Sequence, residues 1–146
     1  MGSNNRSKGL VLVVEDELLL AELVEDVLQD AGYQTLSAGD GRSALEMLTM
    51  GAVSHDKPGN TSGDVIDVPT QPDLVISDLM MPVMTGWELC STIAADPNYS
   101  SIPFVVMTAA RGADMPGACN CVTVLSKPLD LDELVRVVDE AIIIQH

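Results

Sequence analysis

Apolar residues recur along this chain in two alternating rhythms. Predominantly apolar stretches, Leu10 to Val14, Leu74 to Ile76, Ile102 to Met107 and Cys121 to Leu125, have the composition of strands buried on both faces, the first of them all aliphatic. Tyr33 to Ser37 reads as a further strand. Between these runs the period changes to that of a helix. From Glu17 to Ala31, Leu20, Leu23, Val24, Val27 and Leu28 mark one face, and Glu22, Glu25, Asp26 and Gln29 mark the other. Gly32 stands where that helix should stop.

Further helices are predicted over Gly41 to Met50, behind an Asp40 cap, and from Thr85 to about Ala95. Thr85 and Glu88 have the spacing of a capping box, and Asp130 and Glu133 repeat it before a last helix reaching about Ile144. Leu131, Leu134, Val135, Val138 and Ile142 form the apolar face of that last helix. Strands alternating with helices imply βαβ units and a parallel sheet, an α/β fold.

Two stretches break the rhythm. Gly51 to Pro72 carries Gly51, Gly59, Gly63, Pro58, Pro69 and Pro72, and reads as a long surface loop, an insertion over about 51–71. His55 within it reads as solvated. Between Thr108 and Cys121, Gly112, Pro116 and Gly117 argue against a regular helix over 111–120. Residues 1–8, small and polar, are expected to form a disordered arm ahead of one domain over 9–146.

Composition narrows the partners. With 22 acidic and 7 basic residues among 146, the formal charge is −15, which disfavours contact with nucleic acid or an anionic membrane. Aromatic residues make up only 3%, so the core must be aliphatic. Cys90, Cys119 and Cys121 are an odd number, and Cys119-Asn120-Cys121 is too tight for a usual zinc half-site. With no apolar signal core at the start, they are expected to be thiols of a soluble protein in a reducing cytoplasm.

The chemistry gathers where strands end. In an open α/β sheet, ligands are bound outside the carboxyl ends of the strands. Here those ends carry Glu15 and Asp16 after the first strand, Asp78 after the third, Thr108 after the fourth and Lys127 after the fifth. Three carboxylates together repel one another unless a cation sits among them, and a hard divalent ion such as Mg2+ suits oxygen ligands. Asp78 could then act as a carboxylate nucleophile toward phosphorus, with Lys127 and the metal neutralising phosphoryl charge and the Thr108 hydroxyl donating to a phosphoryl oxygen.

With Glu15-Asp16, Asp78-x-x-Met81-Pro82, Gly86, Thr108-Ala109 and Lys127-Pro128 in place, the chain resembles the receiver domains of bacterial response regulators over about Gly9 to Gln145. The resemblance implies a flavodoxin-like, doubly wound, five-stranded parallel sheet in the order 2-1-3-4-5, flanked by helices. It also implies that Asp78 is the phosphoacceptor and that Glu15, Asp16, Asp78 and the Met80 backbone carbonyl organise Mg2+. Thr108 and Lys127 would sense the phosphoryl group, and the Lys127-Pro128 peptide would be cis. The expected partners are a histidine kinase or phosphotransfer protein and a downstream protein target. A receiver of this kind is not an enzyme beyond its own phosphorylation and dephosphorylation.

The chain departs from the family's pattern in the long 51–71 stretch, in the helix-poor segment after Thr108, and at Val124, a position often aromatic in the family. Other chemistries fit less well. A haloacid-dehalogenase-like phosphohydrolase wants a second aspartate where Met80 stands. A flavin mononucleotide binder wants a hydroxyl-rich phosphate loop where Glu15-Asp16-Glu17 would repel phosphate. A phosphorylation-independent, protein-binding pseudo-receiver is the remaining alternative.

Overall fold

The computed structural model describes residues 8–50, 71–109 and 119–145. Five strands, β1 (Leu10–Val14), β2 (Gln34–Ala38), β3 (Leu74–Asp78), β4 (Phe104–Thr108) and β5 (Cys121–Ser126), form one parallel sheet in the order β2-β1-β3-β4-β5. Among the described residues four helices cover it: α1 (Leu18–Asp30), α2 (Gly41–Met50), α3 (Gly86–Ala94) and α4 (Leu131–Gln145). This is the doubly wound, flavodoxin-like arrangement with strand order 2-1-3-4-5.

Alternation along each strand sorts the core into two layers. Val11 and Val13 of β1, Ile76 of β3 and Val105 and Met107 of β4 face α1 and α4, where they meet Val24, Leu28, Leu134 and Val138. Leu12 and Val14, Val75, Phe104 and Val106 face α2 and α3, against Ala44, Leu48, Leu89 and Ile93. Because both faces are covered at the centre of the sheet, β1, β3 and β4 are buried almost throughout and apolar up to their tips, which is why they read as near-continuous runs, whereas the edge strand β2 (Gln34-Thr35-Leu36-Ser37-Ala38) is partly exposed and mixed. Each large aliphatic side chain so buried contributes roughly 1.5–3 kcal/mol.

Several boundaries and faces differ from the sequence reading. The inward line of α1 is Ala21, Val24 and Leu28, while Leu23 is 43% exposed. At about 100° per residue, Ala21 points within about 20° of Leu28, two turns on, and takes the inward place that Leu23 was expected to fill. Strand β2 begins one residue later than expected, at Gln34. Tyr33 turns instead into the α1–α4 layer, with its hydroxyl on the Asp139 carboxylate. Strand β4 starts at Phe104, since Pro103 cannot donate to the ladder.

The capping box of Thr85 and Glu88 forms in both directions, and Asp130 Oδ1 accepts from the amides of Asp132 and Glu133. Lys8, at the end of the expected arm, lies 5.4 Å over the Tyr33 ring and 3.7 Å from Asp139. The rest of that arm, the 51–71 insertion apart from Gln71, His55, and residues 111–118 lie outside the described residues.

The cysteines correct the expectation of free thiols. Cys90 on the inward side of α3 and Cys119 just ahead of β5 are disulfide-bonded, with Cα atoms 5.5 Å apart, and Cys121 is a free thiol. At a sequence separation of 29, nothing in their spacing announces the pair.

Candidate functional site

Register decides which strand ends meet. The chain winds outward from β1 to β2, then returns to place β3 on the other side of β1, so a crevice opens between the ends of β1 and β3. Val14 pairs with Ser77, which sets Glu15 beside Asp78. Asp78 pairs with Met107, and Thr108 with Ser126, so Thr108 and Lys127 follow at the same level. The Leu79 amide donates to the Met107 carbonyl at 2.9 Å and the Lys127 amide to the Thr108 carbonyl at 2.9 Å, extending the ladder past the strand ends. The Lys127-Pro128 peptide is cis, as the resemblance implied.

The side chains converge. Glu15, Asp16 and Asp78 each offer a carboxylate oxygen, and these oxygens lie within 4.8 Å of one another. Lys127 Nζ is 3.1 Å from Asp78 Oδ1 and 3.6 Å from Glu15 Oε1. Asp78 and Thr108 are buried, whereas Asp16 is exposed at the rim. Three carboxylates against one ammonium leave two negative charges uncompensated, the charge of one divalent cation.

Glu15 shows the consequence most plainly. It is 3% exposed, its Oε2 accepts from the Glu17 amide at 3.0 Å, and its Oε1 is buried without a hydrogen-bond partner. Burial pushes its carboxyl up from 4.5 to about 7, with the Asp78 charge adding to the rise and the Glu17 amide and Lys127 opposing it. At Lys127, burial alone would lower the ammonium's pKa, but the hydrogen bond to Asp78 and the charges of Glu15 and Asp78 outweigh it, and the net shift is upward. A buried carboxylate oxygen without a hydrogen bond, beside two further carboxylates, is a donor set suited to a hard cation. The site therefore fits Mg2+.

A pH dependence follows for the metal-free protein. Folded Glu15 holds its proton to about pH 7, while the unfolded chain releases it near 4.5. Its folded pKa is raised, so its stabilising contribution is complete below pH 4.5 and is lost as pH rises through 7. The loss by pH 8 is on the order of 3 kcal/mol. Urea melts at pH 5 and pH 8 without divalent ions should show it, Glu15→Gln should flatten the slope, and added Mg2+ should stabilise mainly at the higher pH.

The loop after Asp78 is held tightly. The Gly86 amide donates to the Leu79 carbonyl at 2.8 Å, and a Cβ on Gly86 would lie 2.6 Å from the Asp78 carbonyl oxygen. The Met84 amide closes a three-residue turn onto the Pro82 carbonyl at 2.7 Å, with Val83 at φ 72° between them. A β-branched residue in that region is strained. No sequence signal marked Val83, because glycine is the residue such a turn normally advertises. Met80 and Val83 are 66% and 76% exposed beside the crevice. Val124 is a partly buried member of the α2–α3 layer, with no aromatic ring at its position.

A five-stranded sheet wound this way, with an acidic pocket and a lysine at its carboxyl edge, defines the receiver class of signalling domain, and comparison with known proteins agrees. The model of the response regulator receiver domain family matches residues 63–139, more than half of the sequence. The chain belongs to that family, whose members are the receivers of two-component signalling. The two-component response regulator ORR4 of Oryza sativa subsp. indica is 32% identical over 102 residues, covering 68% of this chain and 43% of that protein. The DNA-binding response regulator MtrA of Mycobacterium tuberculosis strain CDC 1551 is 34% identical over 99 residues, covering 68% of this chain and 34% of MtrA. Among solved structures, the signal receiver domain of a signal transduction histidine kinase from Syntrophus aciditrophicus superposes with a TM-score of 0.71 at 28% identity, covering 92% of this chain and 89% of that one. The chain spans about half or less of the length of the curated relatives it matches.

Proposed function

We propose that this chain is a phosphorylation-dependent signalling receiver, with Asp78 as phosphoacceptor. A histidine kinase or a histidine phosphotransfer protein would supply the phosphoryl group. An Asp78 carboxylate oxygen attacks phosphorus as the bond from phosphorus to the donor atom breaks, leaving an acyl phosphate on Asp78. Glu15, Asp16, Asp78 and the Met80 backbone carbonyl hold Mg2+, which when bound offsets charge on the phosphoryl oxygens. Lys127 binds a phosphoryl oxygen through its ammonium, and Thr108 donates to another through its hydroxyl. The single observation that carries this reading is the cluster of three carboxylates within 4.8 Å, with Lys127 3.1 Å from Asp78.

The added charge would shift a two-state equilibrium read by a downstream protein. Exposed Leu18 and Leu19 stand just after Asp16, and Met80 and Val83 just after Asp78, so the rim of the site is apolar enough to meet a protein surface. The charge of −15 supports protein rather than nucleic-acid contact by this chain. Among the described residues no helix is long and apolar enough to cross a membrane. Turnover of its own phosphoryl group is the only catalysis this reading assigns.

Acetyl phosphate with Mg2+, followed by intact-mass measurement, tests the proposal. One phosphoryl adduct is expected, absent with EDTA and absent in Asp78→Asn. No adduct at any Mg2+ or acetyl phosphate concentration would leave a phosphorylation-independent protein-binding domain in its place.

A further inference from the structure

The disulfide joins two elements that the site depends on. Cys90 lies one helical turn beyond Gly86, the residue that abuts the Asp78 carbonyl from behind. Cys119 leads into β5, and Lys127 follows the far end of that strand. One covalent bond thus fastens the helix braced against Asp78 to the strand that delivers Lys127.

This bond is not required to hold the fold together. Both faces of the sheet already carry continuous aliphatic layers, and a chain of this size can stand on such a core without staples. The two sulfurs also differ in access. Cys90 is 1% exposed, while Cys119 is only partly buried, so an external reagent reaches the pair through Cys119. Cys121, two residues on and packed against the same layer, is set apart from this chemistry. Its thiol lies 3.3 Å from the Thr123 carbonyl, to which it donates, and burial pushes its pKa up, so it stays a protonated bystander.

We propose that Cys90 and Cys119 form a reversible thiol–disulfide site, driven by small-molecule disulfides such as oxidised glutathione, which sets how readily the Asp78 pocket accepts a phosphoryl group. The part concerning phosphorylation rests on the function proposed above. In the closing reaction the Cys119 thiolate attacks one sulfur of the external disulfide and releases one thiolate. Cys90 then attacks Cys119 Sγ in that mixed disulfide and releases the second. The two protons given up by the protein thiols go to the two leaving thiolates. The protein pair is oxidised by two electrons and the external disulfide is reduced to two thiols. Such pairs in reducing compartments are characteristically transient and sensory rather than structural.

Phosphorylation requires Lys127 to exchange its direct contact with Asp78 for one with a phosphoryl oxygen. A clamp tying α3 to the start of β5 resists that adjustment, so the open, dithiol form accepts phosphate faster.

The test uses the full chain equilibrated in glutathione buffers from fully reduced to fully oxidised, then alkylated under denaturing conditions and peptide-mapped. Labelling of Cys90 and Cys119 should be lost together, while Cys121 labels throughout. With acetyl phosphate and Mg2+, the reduced form should acquire the Asp78 adduct at least threefold faster than the oxidised form. The half-buried substitution Cys119→Ser should react at the reduced rate in both buffers. Backbone amide exchange in peptides over Asp78 to Cys90 and Cys121 to Lys127 should be slower in the oxidised form. Equal phosphorylation rates in the two forms, or a disulfide that involves Cys121, would overturn the proposal. If neither form is phosphorylated yet the exchange difference persists, the phosphoacceptor reading falls while the clamp stands; if the exchange difference is missing, the clamp falls.

Discussion

Replacing Lys127 with alanine is expected to slow phosphorylation of Asp78 by acetyl phosphate about 100-fold, the scale seen when one preorganised charge-stabilising group is removed from a site. Lys127 is the one cation within 4 Å of the Asp78 and Glu15 carboxylates among the described residues, at 3.1 Å and 3.6 Å. Its loss leaves three carboxylates facing one another with no ammonium among them. Removing one partner from a largely buried ion pair costs about 3–5 kcal/mol at full burial. Lys127 is 22% exposed, so a metal-free loss nearer 2 kcal/mol is expected. Mg2+ should bind Lys127→Ala at least as tightly as the parent, because the cation that competes for those oxygens is gone. Stopped-flow fluorescence of Trp87, on α3, would separate the two steps, with Mg2+ binding retained and the acetyl phosphate step slowed. Unchanged phosphorylation would show that the contact with Asp78 is merely a resting ion pair.

Gly86→Ala is expected to destabilise the protein by roughly 2 kcal/mol or more and to impair Asp78 phosphorylation with it. In an ordinary helix the change gains about 1 kcal/mol of propensity, and lowering the entropy of the unfolded chain would help further. Here the added carbon meets backbone, 2.6 Å from the Asp78 carbonyl oxygen and 3.0 Å from Leu79 Cα, and no side chain can swing aside. Either α3 lifts away, losing the burial of Leu89 and Ile93, or the Asp78–Leu79 backbone shifts and takes the carboxylate with it. Gly39→Ala is the matched control, since a Cβ there meets nothing within 4 Å, and it should fall within ~0.5 kcal/mol of the parent. Urea denaturation gives the stability difference, and the acetyl phosphate assay reports whether the pocket moved.

The two substitutions probe layers of the molecule that were unequally legible. Strands such as Leu10–Val14 and Leu74–Asp78 were readable because a strand covered on both faces must be apolar throughout and polar only at its tip. That same rule put Glu15, Asp16, Asp78, Thr108 and Lys127 on record as strand-end residues. The capping box of Thr85 and Glu88 was equally plain, since it depends on residues three apart. Gly86 was visible as part of a motif, but its reason, contact with the Asp78 carbonyl, was not.

What the sequence determined by itself was therefore local: which segments are strands or helices, and which side chains stand at their ends. Tertiary structure decided everything that depends on register and approach between distant segments. Pairing of Val14 with Ser77 brings Glu15 against Asp78 and leaves Glu15 Oε1 buried without a hydrogen bond, its ion-pair contact being Lys127 at 3.6 Å, an arrangement no spacing predicts. Packing of α1 against the sheet, and not the size of its leucines, turned Ala21 inward and left Leu23 outside. The bond between Cys90 and Cys119 exists because the fold brings α3 and the residue two ahead of β5 to a Cα separation of 5.5 Å. Hydrophobic periodicity is a property of neighbours in the chain, whereas a shifted pKa, a steric contact or a disulfide is a property of neighbours in space.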